Sequence, residues 1–165
     1  MGSIFEGLLL GAPAATKRTP ELVFTVRQRG EGFYVLAHTA GTKPSHAPPW
    51  KLENPGVVGK IEVQRPIHYE GLQKPGRSGR VAHVLWVEVL REFQRSRVAT
   101  RLYEAAFART CEVYRGALFG SDDTRSEGAQ AFWEKQVEKG RAFFWGGFYV
   151  LEASCRGPIT LSGAR

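Results

Sequence analysis

The sequence predicts an α/β fold of the α+β kind, a mixed and mostly antiparallel central sheet flanked by helices. Three observations lead there. Runs rich in β-branched and aromatic residues fill the first half of the chain before any helical periodicity begins. The second half then reads strand, helix, strand, helix, strand. The 165 residues suffice for one domain with its own hydrophobic core, and no internal repeat breaks them up.

Residues 1–20 are small, apolar and proline-containing, and are expected to form a loosely ordered arm before a single domain over 21–155, with 156–165 as a C-terminal tail. "ELVFTVRQ" and "GFYVLAHT" are β-like runs joined by "RGEG", a hairpin signature. "AGTKPSHAPPWKLENPG" carries four prolines and no period, so it reads as a long loop. "VVGKIEVQRPI" returns to strand, with Val58, Lys60 and Glu62 alternating against Val57, Ile61 and Val63. After the basic loop "EGLQKPGRSGR", the segment "VAHVLWVEVL" is the most apolar of the chain and predicts a central strand buried on both faces.

A first helix is predicted from Val98, with Val98, Leu102, Ala106 and Val113 on one side. "GALFGS" reads as a short buried strand. A second helix follows, with Thr124 and Glu127 at capping-box spacing. Its apolar stripe is Ala129, Phe132, Trp133 and Val137, and Gly140 closes it. "RAFFWGGFYVLE" supplies one or two last strands, whose aromatics suit core packing and a homodimer patch.

Net charge is +7 with a pI near 9.7, which favours an anionic partner. Cys111 and Cys155 match no metal-ligand spacing and are expected as free thiols in a reducing, cytoplasmic compartment. His38, His46, His68 and His83 do not cluster with Cys or acidic residues, so no metal is expected. No apolar stretch approaches the roughly 18 residues that span a membrane. The opening "MGSIFEGLLLGAPAA" lacks a basic first region and carries Glu6, which argues against export.

The join between the apolar strand and the first helix, "REFQRSRVATRLYEAA", concentrates arginines where a helix exposes unpaired N–H groups and a positive dipole end. A phosphate cradle and a solvated helix start are both compatible with it. No Walker lysine or G-x-G-x-x-G accompanies it, so neither a P-loop nor a Rossmann site is supported.

"VEVLREFQRSRVATRLYEAA" resembles the acetyl-CoA-binding segment of the GNAT family of N-acetyltransferases, which runs strand, [Q/R]-x-x-G-x-[G/A], helix. "SEGAQAFWEKQVEKGRA" resembles the family's later helix and "VVGKIEV" its V-G-containing strand, so the match spans about residues 56–151. The resemblance implies a GNAT-like sheet and acetyl transfer from acetyl-CoA to an amine of a small molecule, peptide or protein. It places backbone N–H groups around Val87 and Val89 on the pantetheine and thioester. It makes Gln94, Arg95, Ser96, Arg97, Val98, Ala99 and Thr100 the pyrophosphate turn.

The chain also departs from that pattern. Arg97 stands at the first motif glycine and Ser126 at the usual asparagine. Trp133 replaces a tyrosine that protonates the leaving thiolate, and tryptophan is no acid at neutral pH. Tyr149 and Ser121 are substitutes for that role. His83 or Glu88 is the expected general base, His83 being equally compatible with a packed histidine. The helices that normally follow the first strand are absent, so the N-terminal part is trimmed or the proline-rich loop takes their place, and the acceptor amine stays open. A non-catalytic module binding CoA or an anionic macromolecule is the alternative, and nucleic-acid binding through the positive charge a weaker one.

Overall fold

In the computed structural model the chain is described over residues 21–40, 56–72, 79–123, 125–153, 155–156 and 159–161. The expected N-terminal arm, the proline-rich loop with Trp50 and His46, and "QKPGRS" lie outside these residues.

Eight strands form one sheet: β1 (Leu22–Arg29), β2 (Gly32–Thr39), β3 (Val57–Val63), β4 (Ile67–His68), β5 (Arg80–Val89), β6 (Leu118–Ser121), β7 (Ala142–Trp145) and β8 (Phe148–Leu151). The order across it is β1-β2-β3-β5-β6-β8-β7, and the short β4 continues beside β5 where β3 leaves off. Every pairing is antiparallel except β5 with β6. That parallel pair requires a crossover, supplied by helix α1 (Val98–Val113). Helix α2 (Glu127–Glu138) joins β6 to the β7–β8 hairpin. The class is therefore α+β, as the order of periodicities indicates.

The β1–β2 turn is two residues long, with Arg29 paired to Gly32 and Gly30 at φ +57°. A turn this tight leaves no room for a helix between the two strands. Both helices pack on one sheet face, where Val98, Leu102, Ala106 and Trp133 meet Ile61, Val84, Phe119 and Leu151. Gly59 lets α1 come close, since a Cβ there would lie 2.9 Å from Leu102 Cδ1 and 3.2 Å from Val98 Cγ1. Gly120 sits tighter still, 2.8 Å from the Tyr149 carbonyl oxygen by the same construction.

Several expectations are corrected. β5 is buried only over Val81–Val84, whereas Leu85 and Trp86 are exposed. Its ladder with β6 runs from Val81↔Leu118 to Val84↔Ser121 and stops, so the rest of β5 has no neighbour on that side. Helix α2 is capped by Ser126, whose Oγ accepts from the Ala129 N–H at 3.2 Å. Glu127 is its first residue, and Thr124, the predicted cap, lies outside the described residues. Val113 and Val137 are exposed, and Gln136 takes the buried place on α2 instead.

The cysteines are not free. Cys111 and Cys155 are joined by a disulfide with a Cα–Cα distance of 5.5 Å. The separation of 44 residues hides that the chain after β8 returns to the last turns of α1. Leu161 is buried there, its N–H donating to Glu104 Oε2 at 2.6 Å while Arg141 donates to its carbonyl at 3.0 Å. A disulfide belongs to oxidising surroundings, so the cytoplasmic expectation loses the support it drew from free thiols. No described helix is long and apolar enough to cross a membrane.

Candidate functional site

The divergence of β5 from β6 opens a gap in the sheet, and the residues around it set its chemistry. Leu90 N–H donates to Val58 O at 2.9 Å, so every second N–H back along the strand, at Glu88 and Trp86, also turns toward β3. The N–H groups of Val87 and Val89 therefore face the other way, into the gap. Gln94 Nε2 donates to the Val89 carbonyl at 3.3 Å and ties the strand end to the turn that follows.

That turn has an unusual backbone. A single 3-10 turn over Arg91–Phe93 is followed by extended Gln94. Arg95 (φ 66°) and Arg97 (φ 65°) then take the left-handed conformation, which costs roughly 1–2 kcal/mol at a non-glycine residue. Ser96 between them is buried and its hydroxyl donates to the Phe93 carbonyl, clamping the turn. Arg97 is the N-cap of α1 and offers no side-chain cap to the first N–H groups of the helix. Left-handed residues directly ahead of a helix start help to turn successive N–H groups toward one point, as in an anion-binding nest.

A groove of about 550 Å³ runs along this turn between α1 and α2. Val87, Val89, Gln94, Arg95, Arg97, Val98, Ala99 and Thr100 all line it, with Lys135 of α2 across from them. Of the sequence-predicted turn residues only Ser96 is withdrawn. At Val87, Tyr103, Ser126 and Ala129 the groove meets an inner chamber of about 190 Å³. The chamber lies in the gap itself, walled by Val84–Trp86, Ser121, Asp122, Arg125 and Trp133. The mouth is cationic and apolar, and the inner end carries one carboxyl, Asp122, beside one guanidinium, Arg125.

The three residues expected to move protons do not meet in the chamber. His83 is buried beside it: Nδ1 donates to the Ser121 carbonyl at 2.6 Å and Nε2 accepts from the Tyr69 hydroxyl at 2.7 Å. The carbonyl can only accept, which fixes this tautomer and engages both ring nitrogens. Glu88 points to the sheet face opposite the helices, in register with Lys60. Burial lowers the Lys60 pKa, and its ammonium lies 4.7 Å from the Trp86 ring centroid. Tyr149 is buried, stacked on Trp133 at 6.1 Å, and its hydroxyl accepts from Gln130 Nε2 at 2.8 Å. Ser121 lines the chamber, but its Oγ donates to the Asp122 carbonyl at 3.0 Å and accepts from the Tyr149 N–H at 2.9 Å.

The carboxyl group that does line the chamber is Asp122. Burial pushes its carboxyl above the usual range, and the neighbouring Asp123 carboxylate adds to the push against the pull of the Asp123 N–H at 2.8 Å. Sequence reasoning passed it over inside "GSDDTRSEG". The signal was there: a carboxylate placed directly after a buried strand, at the point where a parallel partner stops. Arg125 frames the chamber from the same loop, held by Gln130 Oε1 at 2.7 Å, by the Asp122 and Gly147 carbonyls and over the Tyr149 ring. Burial also raises the Tyr103 phenol well above its ordinary range, so it stays neutral. No group of three or more metal-ligating side chains occurs among the described residues.

No family model matches the chain, and no curated protein is significantly similar to it.

Proposed function

We propose that this protein is a GNAT-like N-acetyltransferase that moves an acetyl group from acetyl-CoA to an amine. The observation that carries the reading is the divergence of β5 from β6 at Val84 and Ser121, directly beside a left-handed turn that opens a helix. A gap with strand N–H groups on one wall and a nest at its mouth suits a long ligand with a diphosphate at one end and a thioester at the other.

Acetyl-CoA supplies the activated acyl group. The N–H groups at the start of α1, with the guanidinium groups of Arg95 and Arg97 and the ammonium of Lys135, would hold its diphosphate. The N–H groups of Val87 and Val89 would take the pantetheine amide and the thioester carbonyl oxygen. Asp122 is the group best placed to accept the proton of the incoming amine, since burial raises its basicity and it borders the chamber. His83 holds β5 to β6 and to Tyr69 in this arrangement rather than acting as the base.

Calorimetric titration with acetyl-CoA and a thiol-release assay across aliphatic and aromatic amines test the reading together. Binding and amine-dependent CoA release are the expected results. Absence of binding would end it. Binding without release would favour the second reading, a CoA-binding module without turnover. The observation behind that alternative is that Trp133 cannot give up a proton and that the Tyr149 hydroxyl is held by Gln130 outside the chamber.

A further inference from the structure

We propose that the Cys111–Cys155 disulfide is a redox switch on the ligand groove. Oxidised, it pins the C-terminal tail in the seam between α1 and α2 and keeps the groove at its binding width. Reduced, it lets the tail go and weakens ligand binding. The inference rests on the acetyl-CoA reading of the groove given above.

The tail and the groove occupy the same seam. On α1, Thr100 lines the groove, Glu104 follows one turn later and Cys111 two turns after that, all on one stripe of the helix. Glu104 Oε2 accepts from the Leu161 N–H at 2.6 Å. On α2, Lys135 lines the groove and Lys139 comes one turn later, its ammonium 3.5 Å from the Leu161 carbonyl oxygen. Arg141, whose N–H donates to the Gln136 carbonyl of α2, donates through its guanidinium to the Thr160 and Leu161 carbonyls at 3.0 Å each. Leu161 therefore bridges both helices directly beyond the end of the groove, and its side chain is buried in their common core.

The groove is sensitive to that seam. Its lining includes Tyr103 and Phe132, one ring from each helix, stacked at 4.0 Å and 5° from parallel. Tyr103 directly precedes Glu104, and Phe132 lies on the turn before Lys135. A leucine withdrawn from a close-packed seam leaves a void that its neighbours shift to fill. Here the neighbours are the two helices that carry the groove walls. Their movement displaces the stacked rings, the N–H groups at the start of α1 and Lys135 from one another.

The tail depends on the cross-link. The buried Leu161, the partly buried Ile159 and the bonds to Glu104 and Arg141 stand against the entropy of ordering the tail. Those opposing contributions are of similar size. Loop closure over the separation of 44 residues then decides whether the tail stays.

Cys155 is exposed and Cys111 half-buried, so a dithiol reductant reaches Cys155 first. Its thiolate bonds to Cys155 Sγ, and the S–S bond breaks with its electron pair on Cys111 Sγ. The second thiolate of the reductant then displaces Cys155, and the reductant leaves as its own disulfide. The two protons of the dithiol end on Cys111 and Cys155.

The test uses the full chain, oxidised or treated with dithiothreitol, titrated with acetyl-CoA by calorimetry. The reduced chain should stay folded by circular dichroism and bind about tenfold more weakly, within the ordinary range of coupling between two sites. The Leu161 amide should exchange slowly with deuterium in the oxidised chain and fast in the reduced one. Coupling is reciprocal, so saturating acetyl-CoA should shift the thiol–disulfide equilibrium in a glutathione buffer toward the disulfide by the same factor. Leu161→Ala keeps the disulfide and empties the seam, and should weaken binding similarly without any reductant. Equal affinity in the two redox states overturns the inference. So does a reduced chain that unfolds, which would make the disulfide a structural staple alone, or a Leu161→Ala protein that binds like wild type. An oxidised wild type that binds no acetyl-CoA instead overturns the acyl-transfer reading, and this inference with it.

Discussion

The Tyr69 hydroxyl donates to Nε2 of His83 at 2.7 Å, and through that ring it is joined to the Ser121 carbonyl at the last rung between β5 and β6. The pair closes the sheet at the point beyond which it opens. Phe148 covers the imidazole edge-on at 4.7 Å.

Removing the ring should therefore loosen the fold before it affects chemistry. His83→Ala leaves the Tyr69 hydroxyl and the Ser121 carbonyl without partners and opens a cavity, at a cost of about 2–4 kcal/mol. Urea unfolding measures this. His83→Gln, which can keep one of the two bonds, should lose less stability and retain CoA release per folded molecule. A folded His83→Gln variant devoid of turnover would return the base role to the histidine.

Asp122 should give a stability that depends on pH in a defined sense. Its carboxyl pKa is raised by folding, so the protonated group contributes stability that is fully present below the unfolded value of about 4 and is lost as pH rises through the folded value. Asp122→Asn should accordingly be more stable than wild type at neutral pH, with the difference vanishing near pH 3. Thermal melts at the two pH values read it directly. Amine-dependent turnover of the variant should fall about 10²- to 10⁴-fold, the range for loss of a general base.

Arg97→Gly separates backbone from side chain at the turn. Arg97 already holds the left-handed conformation that glycine adopts freely, so the substitution relieves roughly 1 kcal/mol of strain while keeping the nest. Chemical denaturation should show higher stability. Acetyl-CoA affinity should drop about three- to tenfold through loss of one charge-assisted contact, as calorimetry would show. Tighter binding would mean that the guanidinium obstructs the groove.

Reduction of the Cys111–Cys155 disulfide should lower stability by about 3–4 kcal/mol, the loop-closure value for its separation of 44 residues. Melting curves with and without dithiothreitol, alongside Cys155→Ser, measure it. A Cys155→Ser protein as stable as the oxidised wild type would show that Leu161 and Arg141 hold the tail unaided.

Much of the scaffold is legible in single segments. The β1–β2 hairpin, the start of α1 at Val98 and the stop of α2 before Gly140 each depend on local signals, and each lies where those signals put it. The strand turning into α1 across an arginine-rich join is equally local. What depends on partners far away in sequence is not legible. "VAHVLWVEVL" is uniformly apolar, yet its second half is partly exposed because β6 ends after four residues. The separation of Cys111 from Cys155 says nothing of the return of the tail. His83 and Asp122 are not legible in their places, because hydrogen bonds with the Tyr69 hydroxyl and the Ser121 carbonyl, absent from any motif, engage the imidazole while the Asp122 carboxyl lines the chamber.

The divergence of β5 has a further consequence, for exchange and for specificity. A sheet normally has two edges, and this one carries a third inside it, where Val87 and Val89 present N–H groups with no strand opposite. Their amides should exchange with deuterium orders of magnitude faster than those of Glu88 and Leu90 on the same strand, although all four residues lie near the middle of the sheet. Slowing of that pair alone on addition of acetyl-CoA would mark the ligand as a surrogate strand. The same opening invites extended peptides to pair there, as any unpaired sheet edge does.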